Sequence, residues 1–304
     1  MCTGMRALAA LVASTALAVA PGAIRVAASV PTPPQPIGVA FGAGSAWTAS
    51  FTFGGVVRVD PAIDEIVERI KTGRGPIGVA FGAGSVWVAN WLENTVSRVD
   101  PASGKAVAKI KVAATGPEGM AFGTGALWVS NKSGSVSRID PRTNRQVALI
   151  KVGPEPRYLA VGAGSVWVTS YDGGEVDRIS PTTNKVVQKI LVGPGPQGIS
   201  VDRYGVWVGV FLDGSLVRLN SRTGKVAKRI ALGGGAGAEG VASDGRSVWV
   251  ADYNGAAVIR VDAATGRVTG RVLTGPQPRG IAVDVGGAWV ANSAGSTLSR
   301  VVPR

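Results

Sequence analysis

GVAFGAGSVWVAN, residues 78–90, is one of seven copies of the same segment along this 304-residue chain. Each copy has a tryptophan at its centre with small or apolar neighbours on both sides. Successive tryptophans are separated by 40, 41, 39, 40, 42 and 40 residues, a spacing that predicts a repeat architecture. The seven are Trp47, Trp87, Trp128, Trp167, Trp207, Trp249 and Trp289.

Each copy contains four short strand-like runs. In the second copy these are residues 78–81, 85–90, 95–100 and 105–112. Apolar and polar residues alternate within them, as in half-buried strands, and helical periodicity is missing. The turn after the third run begins Asp100-Pro101, where proline presets the turn dihedral. Four antiparallel strands in about forty residues are typical of one propeller blade, so the sequence predicts an all-β, seven-bladed β-propeller.

The seventh copy stops at Arg304 before its fourth strand. The missing strand is found at the other end of the chain, where residues 25–30 align without a gap to residues 185–190 of the fourth copy. We therefore predict that a strand over about residues 25–32 completes the last blade and closes the ring, which would remove an open edge between the first and last blades. Residues 21–304 are predicted to be a single domain.

The N-terminus resembles an export signal. Arg6 is followed by an apolar stretch over residues 7–20, which ends in the small residues Ala18-Val19-Ala20. The stretch is short for a membrane span, and we predict that residues 1–20 are a signal peptide, either cleaved or kept as an anchor. The protein is then secreted or held in the cell envelope, with no transmembrane span in the mature chain. Cys2 is the only cysteine, so the mature chain has no disulfide.

An arginine accompanies each tryptophan, on the third strand of each copy. We expect the tryptophans to fill the wedges between neighbouring blades. We expect the arginines to bind an equivalent carbonyl or carboxylate in each blade, often the aspartate two residues later, as with Arg98 and Asp100. The arginines are Arg58, Arg98, Arg138, Arg178, Arg218, Arg260 and Arg300.

The repeat, continued in the second copy by NTVSRVDP over residues 94–101, resembles the YVTN-type propellers and the streptogramin (virginiamycin B) lyase group. The resemblance spans about residues 25–304 and implies the fold, while propellers host many unrelated activities. For the lyase group it also implies acid–base catalysis by histidine beside a magnesium ion. The chain contains no histidine, so this mechanism is not expected, and we assign no catalytic residue, metal ligand or cofactor.

Positions at which the repeats differ are the better guide to a site, since structure alone explains what the repeats share. One such position lies at the start of the predicted innermost strand, at the mouth of the central channel. Its acidic and basic members allow two interpretations. They form two structural ion pairs, Glu118 with Arg157 and Glu239 with Arg279, or they form a polar site that binds an anion or an amine. In chain order this channel-mouth ring is Ile37, Ile77, Glu118, Arg157, Gln197, Glu239 and Arg279.

A second variable position follows the second strand, in a loop on the same face. Five of its seven residues are aromatic. Tyr158, where other repeats have glycine, adds another aromatic residue to this face. These side chains either cap the tops of the blades or form a surface for a sugar, a peptide or a protein. In chain order the residues are Phe51, Trp91, Lys132, Tyr171, Phe211, Tyr253 and Ser293.

The formal net charge of +13 comes largely from the predicted outermost strands, with residues such as Lys105, Lys109 and Lys185. Lysines on an exposed edge block strand addition by other chains, so this basic rim does not by itself predict nucleic-acid binding. Nucleic acid is not expected as a partner.

The sequence favours an exported, non-catalytic, monomeric binding or scaffold module. Its partner is a small molecule, a glycan or a protein on the channel-mouth face. The alternative is a lyase or hydrolase in which Glu118 and Glu239 hold a divalent cation while Arg157 or Arg279 stabilises negative charge.

Overall fold

Each forty-residue repeat folds as a four-stranded antiparallel sheet. The computed structural model describes residues 23–304 and contains seven of these sheets, arranged as the blades of a propeller. The predicted all-β, seven-bladed architecture is therefore confirmed. The predicted signal peptide lies outside the described residues.

The described residues begin with β1 (Ile24–Pro31), which belongs to the last blade. Blade 1 contains β2 (Pro36–Gly42), β3 (Ser45–Ser50), β4 (Gly55–Asp60) and β5 (Glu65–Lys71). Blade 2 contains β6 (Pro76–Gly82), β7 (Ser85–Asn90), β8 (Thr95–Asp100) and β9 (Lys105–Lys111). Blade 3 contains β10 (Pro117–Gly123), β11 (Ala126–Asn131), β12 (Ser135–Asp140) and β13 (Arg145–Lys151).

Blade 4 contains β14 (Pro156–Gly162), β15 (Ser165–Ser170), β16 (Glu175–Ser180) and β17 (Lys185–Leu191). Blade 5 contains β18 (Pro196–Asp202), β19 (Gly205–Val210), β20 (Ser215–Leu219) and β21 (Val226–Ala231). Blade 6 contains β22 (Ala238–Ser243), β23 (Ser247–Asp252), β24 (Ala257–Asp262) and β25 (Val268–Leu273). Blade 7 contains β26 (Pro278–Val283), β27 (Ala288–Asn292) and β28 (Thr297–Pro303), together with β1.

The first strand of each blade is innermost, and the innermost strands of successive blades contact one another around the whole ring. Glycine permits this approach. A Cβ atom on Gly78 would overlap the carbonyl oxygen of Glu118 in the next blade. The second strands are buried throughout, whereas alternate residues of the fourth strands face solvent. Within residues 23–304 no helix is long and apolar enough to cross a membrane.

The ring is closed by hydrogen bonding between the two ends of the described chain. Strand β1 pairs antiparallel with β28, and Val30 lies opposite Leu298. Val30 is 4% exposed and packs in one cluster with Trp289 of blade 7 and Val39 of blade 1. The predicted closing strand is confirmed, since its observed bounds, Ile24–Pro31, differ by only one residue from the expected ones.

The repeated tryptophans are buried between blades, as predicted. Each faces the arginine opposite it on the third strand, and the guanidinium carbon lies 4.9–5.5 Å from the centre of the tryptophan ring. The indole N–H donates to a backbone carbonyl in blades 1–4, as Trp87 does to Gly82 at 3.0 Å. In blades 5–7 it donates to an aspartate, as Trp289 does to Asp284 at 2.9 Å.

The arginines also join each blade to the next. In six of the seven blades the guanidinium donates to a backbone carbonyl in the turn after the third strand of the following blade. Arg98 donates to Pro141 at 2.7 Å, and Arg300 donates across the ring closure to Pro61 at 2.8 Å. The expected bond to the aspartate two residues later is wrong, because that carboxylate accepts backbone N–H groups of its own turn, as Asp100 does from Ala102.

A charge placed beneath the closing strand should open the ring. We expect Val30→Asp to lower the free energy of unfolding by at least about 3 kcal/mol, because a carboxylate would be buried there without a partner. Urea denaturation measures this difference. The matched control is Ser29→Asp, which changes the exposed neighbour on the same strand and should have an effect below about 1 kcal/mol. Equal effects of the two variants would contradict the role given to Val30.

Candidate functional site

The two variable positions of the repeat meet at one face of the propeller. Each member of the channel-mouth ring is the second residue of the innermost strand of its blade. The loop after the second strand ends on the same face, so both sets of side chains surround the channel. Six predicted residues line one cavity of about 330 Å³: Phe51, Trp91, Glu118, Lys132, Arg157 and Arg279.

The cavity has an apolar side and a charged side. Ile37 and Phe51 of blade 1, with Ile77 and Trp91 of blade 2, form the apolar side. Blades 3, 4 and 7 supply the charged side chains. This division follows from the sequence differences between repeats, because the backbone of the ring is the same in every blade. Gln35, Gln277 and Ser293 complete the lining.

The charged side chains of blades 3 and 4 form a connected network. Arg157 Nη1 lies 3.1 Å from Glu118 Oε1, and Arg157 Nη2 lies 2.5 Å from Glu155 Oε1. Lys132 Nζ lies 3.5 Å from the same Glu155 oxygen. Burial disfavours the charged guanidinium, but Glu118 and Glu155 outweigh it, so the pKa of Arg157 is raised. The expected Glu118–Arg157 pair is thus formed, and two cations balance two anions.

The expected Glu239–Arg279 ion pair is wrong, because among residues 23–304 no cation lies within 4.0 Å of the Glu239 carboxylate. Glu239 is only 7% exposed. Its burial raises the pKa of its carboxyl group to about 7; Arg279 opposes this rise and Glu118 adds to it. Arg279 is placed instead over the ring of Tyr253, with 5.4 Å between guanidinium carbon and ring centre.

Two tyrosines position the two arginines. Arg157 lies over Tyr171 at 5.2 Å, and Arg279 lies over Tyr253 in the same way. Phe211 meets Tyr253 edge-on, with ring centres 5.8 Å apart. The aromatic residues also cover the blade junctions, since the rings of Phe51 and Tyr171 lie against glycines of the following blade. Both functions anticipated for this position are therefore compatible with its geometry.

The other six predicted residues lie outside the lining of this cavity. Tyr171 and Phe211 line separate open grooves between blades 4 and 5 and between blades 5 and 6. Gln197 is 8% exposed, and its backbone carbonyl accepts a hydrogen bond from Thr169 at 2.8 Å. Burial, together with the nearby Glu239, raises the pKa of the Tyr158 hydroxyl, which keeps it protonated. Tyr253 and Glu239 complete this set.

Three residues near the cavity were not anticipated. Gln35, Glu155 and Gln277 have φ angles of 56°, 49° and 53°, in the left-handed region that side chains disfavour. The equivalent residue in blades 2, 3, 5 and 6 is glycine. A third variable position, two residues before the channel-mouth ring, was the signal in the sequence. Ten other non-glycine residues among residues 23–304, such as Ala43 and Asn94, have the same conformation in blade turns, so the distinguishing feature of these three is their place beside the cavity.

The carboxylates of the described residues do not gather into a metal site. Residues 23–304 contain no group of three or more cysteine, aspartate, glutamate or histidine side chains that could hold a metal ion. Glu118, one of the two glutamates of the alternative metal site, is paired with Arg157.

Solved structures with the same fold include two lyases and a synthase. The chain superposes on hydrazine synthase from Kuenenia stuttgartiensis with a TM-score of 0.81 and 16% identity, covering 89% of this chain and 96% of that one. It also superposes on virginiamycin B lyase from Staphylococcus aureus, in the structure of a catalytically inactive histidine-to-alanine variant with quinupristin. The TM-score is 0.80 and the identity 14%, and the match covers 92% of this chain and 100% of that one.

A further streptogramin B lyase structure gives a TM-score of 0.81 and 14% identity, covering 92% of this chain and 98% of that one. The resemblance to the streptogramin lyase group is therefore confirmed at the level of the fold. No family profile and no curated protein matches the sequence.

The buried Glu239 should make stability depend on pH. Its pKa lies above the usual value of 4.5 only in the folded protein, so its contribution is complete below pH 4.5 and is lost as the pH rises to about 7. Over that interval we expect the wild type to lose about 3 kcal/mol of unfolding free energy relative to Glu239→Gln. Denaturation series at pH 4.5 to 8 measure this.

The matched control for this series is Glu65→Gln, on the exposed face of β5. It should keep the pH dependence of the wild type. Parallel stability curves for the wild type and Glu239→Gln would contradict the assignment.

Glycine should relieve the backbone strain beside the cavity. We expect Gln277→Gly to raise the free energy of unfolding by about 0.5–1 kcal/mol, because glycine adopts a positive φ without penalty. Gln197→Gly, within strand β18, should instead lower it by a similar amount or more. Thermal or urea unfolding of both variants measures the contrast, and a loss of stability in Gln277→Gly would contradict the strain argument.

Proposed function

We propose that this protein is an exported, non-catalytic binding propeller that holds a small molecule in the channel-mouth cavity. The observation that carries the proposal is the cavity itself, in which an apolar side meets a charged side. Its volume of about 330 Å³ lies in the range of small-molecule sites, about 300–1,000 Å³. A mixed lining of this kind suits a ligand with both apolar and polar groups.

Unsatisfied polar atoms in the lining support this proposal. Trp91 Nε1, Arg157 Nε and Arg279 Nε are buried and, within residues 23–304, have no hydrogen-bond partner. A buried donor without a partner costs free energy, and most buried polar groups in native proteins are satisfied. All three side chains line the one cavity, and a ligand would reach these donors through a small rotation of the side chain.

The residue composition supports binding rather than lyase catalysis. The virginiamycin B lyase from Staphylococcus aureus is described as inactive when a histidine is replaced by alanine. The sequence of this protein contains no histidine. The shared fold therefore supplies a scaffold, and the proposed function needs only the contacts of the cavity. We propose further that the predicted signal over residues 1–20 exports the protein and that it acts as a monomer.

Removing the apolar side of the cavity should abolish binding. For any small molecule that raises the melting temperature of the purified protein in a screen, we expect Trp91→Ala to weaken binding at least tenfold, because the indole contributes a large apolar surface. Isothermal titration calorimetry measures this. The matched control is Tyr204→Ala, in the turn between β18 and β19 on the opposite face, which should bind as the wild type does. Unchanged binding in both Trp91→Ala and Ile77→Asp would contradict the proposal.

Incubation with quinupristin and Mg²⁺ separates the proposal from the lyase alternative. We expect mass spectrometry to show quinupristin unchanged after prolonged incubation. Formation of an opened product that depends on Glu118 or Glu239 would overturn the non-catalytic assignment.

A further inference from the structure

We propose that Arg279 is a carboxylate-binding residue, and that the ligand is a small monocarboxylic acid with an apolar side group and an amide, of the N-acyl amino acid class. The inference rests on the proposed binding function and adds the chemistry of the ligand. It follows from the charge balance of the cavity, the position of Arg279 and the side chains beside it.

The charge balance leaves Arg279 as the cation that is not neutralised. Lys132 and Arg157 are paired with Glu118 and Glu155 in one network. In the part of the chain that the structure describes, no carboxylate lies within 4.0 Å of the Arg279 guanidinium. Glu239 is the anion that interacts most strongly with the charge of Arg279. Because the pKa of that buried carboxyl group is raised, Glu239 is partly or fully protonated at neutral pH and below and then neutralises Arg279 less.

Arg279 is held in a fixed orientation by an aromatic ring and not by an ion pair. Its guanidinium lies over Tyr253, which Phe211 supports edge-on. Its Nε is buried and unpartnered, and the side chain lines the cavity. A planar guanidinium with free donors matches a carboxylate, which can accept two parallel hydrogen bonds. One uncompensated cation suits one negative charge, which favours a monocarboxylate over a doubly charged phosphate.

The apolar side of the cavity begins directly beside Arg279. The innermost strands of blades 7 and 1 touch at this point, where a Cβ atom on Gly280 would overlap the carbonyl oxygen of Ile37. Blade 2 follows with Ile77 and Trp91. A ligand bound through its carboxylate at Arg279 therefore places its remaining atoms against these apolar side chains, which favours an aliphatic or aromatic side group.

Two glutamine side chains are the basis for the amide group in the proposed ligand. Gln277 and Gln35 line the cavity on blades 7 and 1, on either side of Arg279 and Ile37. Each side chain both donates and accepts hydrogen bonds, which matches the N–H and C=O of an amide. Both residues have positive φ angles, whereas the equivalent residue of blades 2, 3, 5 and 6 is glycine. Both glutamine side chains line the cavity, in contrast to turn residues such as Ala43, which has the same conformation elsewhere in the chain.

Three probes separate the contributions of the ligand groups. N-acetyl-L-phenylalanine carries the acid, the amide and an aromatic side group. N-acetyl-L-phenylalaninamide lacks the negative charge, and N-acetylglycine lacks the side group. By isothermal titration calorimetry with the full-length protein, we expect the first to bind at least tenfold more tightly than either of the others.

Variants then assign the carboxylate to Arg279. Arg279→Gln should weaken binding of N-acetyl-L-phenylalanine at least tenfold and leave its carboxamide within about twofold, so that the preference for the acid disappears. Arg246→Gln, an exposed arginine on the opposite face, is the matched control and should keep the preference. Circular dichroism and urea unfolding of each variant confirm that the propeller is intact.

The outcomes distinguish this inference from the proposed function. Equal binding of the acid and its carboxamide, or a preference that survives Arg279→Gln, overturns the carboxylate site while the binding function stands. Failure of all three probes to bind, when another small molecule binds in a manner that depends on Trp91, overturns the ligand class alone. If no small molecule binds at all, both proposals fail.

Discussion

The stacking of arginine on tryptophan is the interaction on which the propeller depends. In every blade a buried indole on the second strand lies beneath a guanidinium from the third strand. The indole fills the wedge between blades, and the guanidinium reaches a carbonyl in the next blade. Packing within a blade and bonding between blades are therefore properties of the same residue pair. Since residues 23–304 contain no cysteine, these repeated contacts hold together a ring that no disulfide supports.

Regular repetition also explains how a site can arise on so symmetrical a scaffold. The backbone presents the same two positions seven times around the channel, so the character of each sector is set by side chains alone. Blades 1 and 2 contribute isoleucines and aromatic rings, while blades 3 and 4 contribute a balanced ionic network. Blade 7 contributes Arg279, and ring closure brings it beside blade 1. A cavity with distinct sides is thus built without any inserted domain or long loop.

The fold could be predicted from the sequence because spacing and alternation are the same in every repeat, and even the displaced closing strand was visible as a matching segment. The site was predictable only as a set of positions. Because Glu118 and Arg157 belong to neighbouring blades, as do Glu239 and Arg279, the sequence suggested two equivalent ion pairs. The second pair does not form, since Glu239 is buried and Arg279 lies over the ring of Tyr253. The roles of Gln35, Glu155 and Gln277 depend on backbone dihedrals, which residue patterns suggested too weakly to be recognised.

The pairing of β1 with β28 has a consequence for the order in which the protein can form during its synthesis. Val30 is made long before its partner Leu298. The ring therefore cannot close during synthesis until Leu298 has emerged from the ribosome. A contact of such large sequence separation is slow to form, because the chain entropy lost on closure is large. Until then the nascent blades form an open arc in which β1 and β28 each have an unpaired edge.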